Sequence, residues 1–178
     1  IINIEDELVP YKERLSFEEL LAYYMSLRKL KKLAEVTSAS SLSNGQQGIE
    51  NFIDSLEFTL TSAQVRVINE ITDDLSKSQP MMRMLQGDVG SGKTIVAAIA
   101  CLKAILNKKQ AALMAPTELL ATQHYESLSK LFKNHDVKIS MLTGSIKKPI
   151  REEIEQSILT GEINLISSLI GFLMLPVS

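Results

Sequence analysis

Residues 87–94 read Gly-Asp-Val-Gly-Ser-Gly-Lys-Thr and match the phosphate-binding pattern G-x-x-x-x-G-K-[ST] in full. In such a loop successive backbone N–H groups face one concavity, and glycines let the backbone approach phosphate oxygens closely. Lys93 is expected to reach the β- and γ-phosphates and to act in catalysis, while the Thr94 hydroxyl is expected to hold Mg²⁺. The sequence therefore predicts a site for ATP and Mg²⁺. Its loop residues are Gly87, Asp88, Val89, Gly90, Ser91, Gly92, Lys93 and Thr94.

The segments on either side of this loop have the order that such a site requires. Residues 81–85 form a short, mostly apolar run, which predicts a buried strand. Residues 95–106 carry apolar side chains at helical spacing, so a helix is expected to place its positive end at the phosphates. An ordinary glycine-rich turn is the alternative, and the order strand, loop, helix favours the phosphate site.

Composition limits the class of protein. The chain has 178 residues, of which 45% are hydrophobic, enough for one domain of ordinary size plus an appendage. A net charge of −2 provides no global attraction for nucleic acid, so any basic surface must be local. The one cysteine, Cys101, excludes an internal disulfide, predicts a cytoplasmic protein, and is expected to be a small buried side chain. Neither a signal peptide nor a membrane-spanning run is visible, and the chain is expected to be a piece of a longer protein because it begins without Met.

The first third of the chain predicts a helix followed by a linker. Residues 16–33 have a helical apolar pattern, with Ser16 as the expected N-cap and Glu19 as its capping-box partner. The basic cluster at residues 28–32 is either a solvated helix end or a phosphate-contacting patch. Residues 36–50 are rich in Ser, Gly, Asn and Gln, which predicts a flexible linker and a domain boundary.

From about residue 58 helices and short strands alternate. Helices are predicted from Thr61 and over residues 117–133 and 149–160, and strands over residues 110–115, 137–142 and 163–166. This alternation predicts an α/β fold with a parallel sheet covered by helices on both faces. Ligands of such sheets bind at the carboxyl ends of the strands, where the loop at 87–94 falls.

Four motifs follow one another along this part of the chain. They are Thr61-Ser62-Ala63-Gln64, Leu85 to Thr94, Ala115-Pro116-Thr117-Glu118-Leu119-Leu120-Ala121-x-Gln123-His124, and Leu142-Thr143-Gly144-Ser145. Together they resemble the first motor lobe of superfamily 2 helicases and, in detail, the branch-migrating DNA helicases of bacteria. Residues 14–22 resemble the segment that precedes that motor. The transcription-repair coupling translocases are the closest alternative; Ser91, the segment at 142–145 and the lead-in favour the branch-migrating group.

The resemblance implies a RecA-like P-loop fold and roles for residues outside the loop. Gln64 would read the adenine edge, although Thr61-x-x-Gln64 is also a capping-box pattern, and the two roles are compatible. DNA-backbone contacts are implied for Pro116, Thr117, Glu118, Gln123, Thr143, Gly144 and Ser145. The alternatives are a simple N-cap at Thr117 and an ordinary turn at residues 143–145. Basic residues at 147, 148 and 151 add local charge that fits sequence-independent binding.

The likeness is expected to end after Ile166, where the family continues with Gly-Thr-His-Ala-Leu and an Asp-Glu box that this chain lacks. Our hypothesis is that a shifted reading frame or a disrupted gene produced this ending. The expected organisation is a helical lead-in from a preceding DNA-binding region (1–35), a flexible linker (36–56), the first motor lobe (57–166, incomplete at its C-terminus) and a divergent tail (167–178).

The function expected from this resemblance is ATP-dependent remodelling of branched, forked or Holliday-junction-like DNA in recombination and repair. Neither a membrane nor an obligate protein partner is expected. As a fragment, the chain is expected to be inactive alone, because hydrolysis needs a carboxylate on Mg²⁺ and translocation needs two lobes. The alternatives are a non-catalytic nucleotide-binding remnant and a lobe of a coupling translocase. An unrelated small P-loop kinase or ATPase is disfavoured by the Pro-Thr-Glu and Thr-Gly-Ser motifs.

Overall fold

The computed structural model describes residues 4–169, with the side chains of residues 11–32 and 37–169. Within this range the chain forms helices and strands with the following bounds. They are α1 Ile4–Val36, α2 Gln46–Asp54, α3 Ser62–Leu75, α4 Lys93–Leu106, β1 Ala111–Ala115, α5 Glu118–Leu131, β2 Ile139–Leu142, α6 Lys148–Leu159 and β3 Leu165–Leu169.

The three strands form one parallel sheet in the order β1-β3-β2. β3 lies between the other two, and Leu165 is opposite both Ala111 and Ile139. α5 connects β1 to β2 and α6 connects β2 to β3, so each connection is a helical crossover of the kind that parallel pairing requires. The predicted α/β fold with a parallel sheet is confirmed.

Helices cover both faces of this sheet. On one face α4 and α5 pack against the strands, and their core includes the buried residues Ile99, Leu128 and Leu165. On the other face Ile158 of α6 packs with Leu142 and Ile166. α3 and α2 lie outside α4 and extend the first core. The apolar spacing in each helix therefore marks the side that the sheet or a neighbouring helix buries.

The predicted strand at residues 81–85 is wrong: this segment pairs with no strand of the described chain. Met84 is 90% exposed, and Met82 is also exposed. Apolar composition alone does not form a strand, because a strand also needs a neighbouring strand that pairs with its N–H and C=O groups. Arg83 attaches the segment to α3 instead, by ion pairs to Asp74 and, at 2.8 Å, to Glu70.

The ion pairs of Arg83 predict a pH dependence of stability. Hydrogen bonds from Arg83 and Lys77 lower the pKa of Asp74 from 3.8 to about 2. A carboxylate with a lowered pKa contributes stability that is fully present above pH 4 and is lost as the pH falls towards 2. We expect Asp74→Asn to lower the midpoint of thermal unfolding at pH 6, and we expect the difference from the wild type to vanish near pH 2. Asp73→Asn, which changes the same charge on an exposed neighbour, is the control. A difference that stays constant from pH 6 to pH 2 would contradict the assignment.

α1 begins at Ile4, so the prediction of a helix that starts at Ser16 is wrong. Ser16 lies inside the helix, because a Ser-x-x-Glu pattern caps a helix only where the preceding residues leave the helical conformation. Every side chain that the structure describes in α1, residues 11–32, is exposed. The apolar stripe predicted for this helix exists, including Phe17 and Leu20, but the described residues do not bury it.

The predicted flexible linker is also wrong in its structure, since residues 46–54 form α2 and the segment 38–56 packs on the lobe. We call residues 38–56 the docked segment. Ile49 and Phe52 are buried in the main core, and the Leu42 N–H donates to Leu75 O at 2.9 Å. The Asn44 backbone and the Asn107 side chain exchange hydrogen bonds of 3.0 and 2.9 Å. Serine, glycine and asparagine here serve packing and turns rather than flexibility. That a domain boundary falls at this segment stays a prediction.

β3 extends past Ile166 into the expected divergent tail. Ser167 and Ser168 are buried in the sheet, and their hydroxyls donate to Ala121 O at 2.7 Å and Leu142 O at 3.1 Å. Polar side chains are tolerated in this central strand because each hydroxyl has a backbone acceptor. The expected tail therefore begins inside the sheet, and its residues 170–178 lie outside the described part of the chain.

Candidate nucleotide and nucleic-acid site

The backbone of the loop at residues 87–94 turns at two of its glycines. Gly90 and Gly92 both have φ of +82°, in the left-handed region that favours glycine. Gly92 is the N-cap of α4, and a Cβ there would collide with the amide of Gln64. A Cβ at Gly87 would lie 2.7 Å from Ser91 Oγ. The backbone conformation thus favours glycine at positions 90 and 92, whereas a Cβ at Gly87 would only have to displace the Ser91 hydroxyl.

Lys93 lies at the mouth of this loop. Its Nζ donates to Gly87 O and to Asp88 O, both at 2.7 Å, so the ammonium group is held beside the loop backbone. Lys93 is also the first residue of α4, whose first N–H groups lack intrahelical acceptors and form the positive end of the helix. An ammonium group beside the unpaired N–H groups of a helix N-terminus is a donor set that fits phosphate oxygens.

Gln64 connects the start of α3 to the loop. Its Oε1 accepts from the Thr61 N–H at 2.8 Å, and the Gln64 N–H donates to Thr61 Oγ1 at 3.2 Å. This is a complete capping box, so that alternative is confirmed. The Gln64 Nε2 donates to Ser91 O at 2.9 Å. Reading of adenine by Gln64 stays a prediction, and the same amide holds the loop against α3.

A groove of about 540 Å³ runs along the loop. Gly90, Gly92 and Thr94 are among its lining residues, so Thr94 faces the same groove as the glycines of the loop. Other parts of the groove are lined by Phe58 and by Lys130 of α5. These two residues were missed by sequence reasoning, because Lys130 fits the exposed side of its helix and no local spacing relates it to the loop.

The two motifs predicted to contact DNA meet at one edge of the sheet, where they follow β1 and β2, the two outer strands on either side of β3. Thr117 is the N-cap of α5, and its Oγ1 accepts from the Leu120 N–H at 3.3 Å. Thr143 is buried at the end of β2, and its hydroxyl lies 3.1 Å from that of Ser145. Glu118 Oε1 accepts from the Ser145 N–H at 3.0 Å, which joins the motifs directly.

The other predicted contacts lie around this junction. Pro116 and Gly144 are exposed beside it. Gln123 is exposed further along α5, and no hydrogen bond within residues 4–169 joins it to either motif. The structure thus brings the motifs at residues 116–118 and 143–145 together, whereas Gln123 lies further along α5 and away from them.

Among the described side chains, those of residues 11–32 and 37–169, no three or more His, Cys, Asp and Glu lie together so that they could hold a metal ion. The chemistry of the loop fits Mg²⁺ only as a cation shared between Thr94 and phosphate oxygens. Cys101, expected to be buried, is half-buried, and burial raises the pKa of its thiol to about 11. None of the described helices is both long and apolar enough to cross a membrane.

Comparison with known proteins defines the class. The family model described as DEAD/DEAH box helicase matches residues 61–174, which is more than half of the chain and extends beyond the predicted end of the likeness at Ile166. The chain belongs to this family. Its match covers the loop, both strand-end motifs and the whole sheet.

Two relatives with similar sequences are DNA helicases that share one name. The chain is 45% identical over 157 residues to the ATP-dependent DNA helicase RecG of Pasteurella multocida and 44% identical over 156 residues to that of Bacillus subtilis. It also superimposes with a TM-score of 0.78, at 36% identity and over 88% of its length, on a structure of RecG bound to a three-way DNA junction. The motif resemblance to this group of DNA helicases is confirmed.

The chain spans only part of these relatives. It covers 23% of each of the two helicases and 22% of the junction-bound chain. An ATP-dependent RNA helicase from Sulfolobus tokodaii shares the fold over 72% of this chain, at 18% identity and a TM-score of 0.54. The lobe described here is therefore a general helicase fold, and its sequence is similar to RecG in particular.

Proposed function

We propose that this chain binds ATP with Mg²⁺ in the loop at residues 87–94 and forms part of the first motor lobe of a DNA helicase that acts on branched DNA. The observation that carries the proposal is the loop itself, in which Gly90 and Gly92 adopt left-handed conformations and Lys93 stands at the mouth. Lys93 would bind the β- and γ-phosphates, and Thr94 would share Mg²⁺ with them.

The DNA side of the proposal is supported by the junction of the two strand-end motifs. Small and hydroxyl side chains, a helix N-terminus and an exposed turn lie together at residues 116–118 and 143–145. Such groups bind the sugar-phosphate backbone without reading bases. ATP bound at the loop and DNA bound at this junction would lie at the same edge of the sheet, as coupling between the two requires.

The test is a titration of the 178-residue chain with a fluorescent ATP analogue in the presence of Mg²⁺. Because a hydrogen-bonded charge contributes ~1.5–3 kcal/mol, we expect Lys93→Ala to weaken binding roughly 10- to 100-fold. Lys109→Ala, which removes an exposed lysine after α4, should leave the affinity unchanged. Equal affinities of the wild type and Lys93→Ala would reject the assignment of the loop. Chelation of Mg²⁺ in the same titration measures the share that the cation contributes.

A further inference from the structure

Glu118 was predicted to contact DNA, but its charge and its partner argue against a direct contact. A carboxylate about 4 Å from a phosphate is repelled by ~1 kcal/mol even in water. The structure gives this carboxylate a different partner, the Ser145 N–H, at 3.0 Å. The bond spans 27 positions of sequence and connects α5 to the turn after β2.

Each of the two motifs is otherwise fixed from within. The Thr117 hydroxyl accepts from Leu120 in its own helix, and the Thr143 and Ser145 hydroxyls contact each other inside the turn. Thr143 is 1% exposed, so the turn is anchored at its β2 end, whereas Gly144 and Ser145 are exposed. The Glu118–Ser145 hydrogen bond therefore sets where the exposed part of the turn stands relative to the start of α5.

We propose that Glu118 is a positioning residue, which holds the turn at residues 143–145 so that its exposed groups and the first N–H groups of α5 address one stretch of nucleic-acid backbone. The inference rests on the proposed function, since it assumes that these two motifs bind DNA. The N–H groups of Glu118 and Leu119 belong to the first turn of α5 and have no intrahelical acceptor. With the Gly144 backbone they form a set of donors for phosphate oxygens.

The alternative is that the carboxylate stands in the place of a phosphate and is displaced when DNA binds. The two ideas predict opposite changes in DNA affinity. A positioning role predicts that loss of the hydrogen bond weakens DNA binding and that the neutral acceptor of glutamine restores it. A displaced carboxylate predicts tighter binding for both Glu118→Ala and Glu118→Gln, because each removes a competing negative charge.

The experiment measures the affinity of the 178-residue chain for a fluorescently labelled single-stranded oligonucleotide by anisotropy, at several salt concentrations. We expect Glu118→Ala to weaken binding roughly tenfold, from the loss of one hydrogen bond to a charged group, and Glu118→Gln to lie within about twofold of the wild type. The slope of log Kd against log salt should be the same for all three proteins, because no phosphate contact is removed. Glu126→Ala is the matched control, since it removes the same charge from an exposed position on α5.

The other outcomes are informative in distinct ways. Tighter binding by both Glu118 variants, or no change in Glu118→Ala, overturns the positioning role. A double variant of the nearby basic residues, Lys147→Ala with Lys148→Ala, distinguishes failure of the positioning role from failure of the proposed function. If the lysine variant weakens binding and Glu118→Ala does not, only the inference fails; if neither changes the affinity, the DNA surface itself is misplaced. Thermal unfolding of each variant shows whether Glu118→Ala loses the fold, in which case the glutamine variant decides.

Discussion

Gly92→Ala should weaken ATP binding by this chain at least tenfold. The residue has φ of +82°, and left-handed backbone costs a residue with a Cβ roughly 1–2 kcal/mol. The new methyl group would also occupy the position of the Gln64 side-chain amide. That amide cannot move freely, because its oxygen accepts from Thr61 and its nitrogen donates to Ser91. The substitution therefore disrupts both the loop and the start of α3, and we expect a loss of affinity of at least tenfold in the fluorescent ATP titration.

Two other glycines separate the contributions of strain and collision. Gly90 also has φ of +82°, and Gly161 has φ of +74°, but a Cβ at either position would meet no atom within 4 Å. Gly161→Ala should lower stability slightly and leave ATP affinity unchanged, since it lies outside the loop. The loss of ATP affinity in Gly90→Ala measures the effect of backbone strain in the loop without a collision. If Gly92→Ala weakens ATP binding no more than Gly90→Ala, the collision with Gln64 has no consequence.

The role of Gln64 can be measured in the same series. Gln64→Ala removes the group with which the new methyl collides, and with it the bonds to Thr61 and Ser91. The double variant Gly92→Ala with Gln64→Ala should therefore bind ATP more tightly than the sum of the single effects predicts, because one effect contains the other. Strict additivity would show that the two residues act independently.

The sequence predicted well those elements whose signals are local. The helix after Thr61, the strand that ends at Ala115 and the crossover helices follow from caps and apolar spacing within a few residues. The loop at residues 87–94 was predicted from its fixed residue types. Two of its glycines adopt backbone angles that few other residues tolerate, so the local sequence carries the signal.

What could not be predicted depends on partners distant in sequence. The run at residues 81–85 is apolar enough for a strand, but a strand is completed by a neighbour, and that information is not in the run itself. Lys130 joins the groove because α5 folds beside the loop, which no spacing within α5 reveals. Glu118 was assigned to DNA by its motif, and only its distance to the Ser145 N–H shows a role within the protein.

The docked segment is the sharpest case, because composition and structure disagree over it. Its many small polar residues predict a linker, yet Ile49 and Phe52, three positions apart, form one buried face of α2. With Ile53 these residues have the i, i+3, i+4 spacing of a helix, but the linker was predicted from composition alone, which ignores spacing. Gly48 does not make the segment flexible. A Cβ there would lie 2.8 Å from Leu106 Cδ1, so the glycine permits close packing of α2 on α4.

Phe52→Ala should be among the most destabilising substitutions in the chain. The ring is fully buried, with its centroid 5.0 Å from Phe132 in a stacked arrangement and 5.0 Å from the ring of His135. Truncation of a buried phenylalanine costs ~3–5 kcal/mol, and in a protein of this size each kcal/mol lowers the midpoint of thermal unfolding by roughly 2–4 °C. We therefore expect a decrease of roughly 10 °C, followed by circular dichroism.

Phe17→Ala is the matched control, since this phenylalanine of α1 is 64% exposed and its truncation should change the midpoint by no more than about 1 °C. A flexible linker makes the opposite prediction, in which both phenylalanine variants are nearly silent. The pair with Phe132 adds a second measure. If the two rings stabilise each other, the double variant should lose less free energy of unfolding than the two single variants together.

The docked segment is also expected to affect ATP binding. It packs on the C-terminal end of α4, the helix that begins at Lys93, and would therefore stabilise the helix that carries the nucleotide loop. Phe52→Ala should then also weaken ATP binding at temperatures where the lobe is still folded, and Phe17→Ala should not.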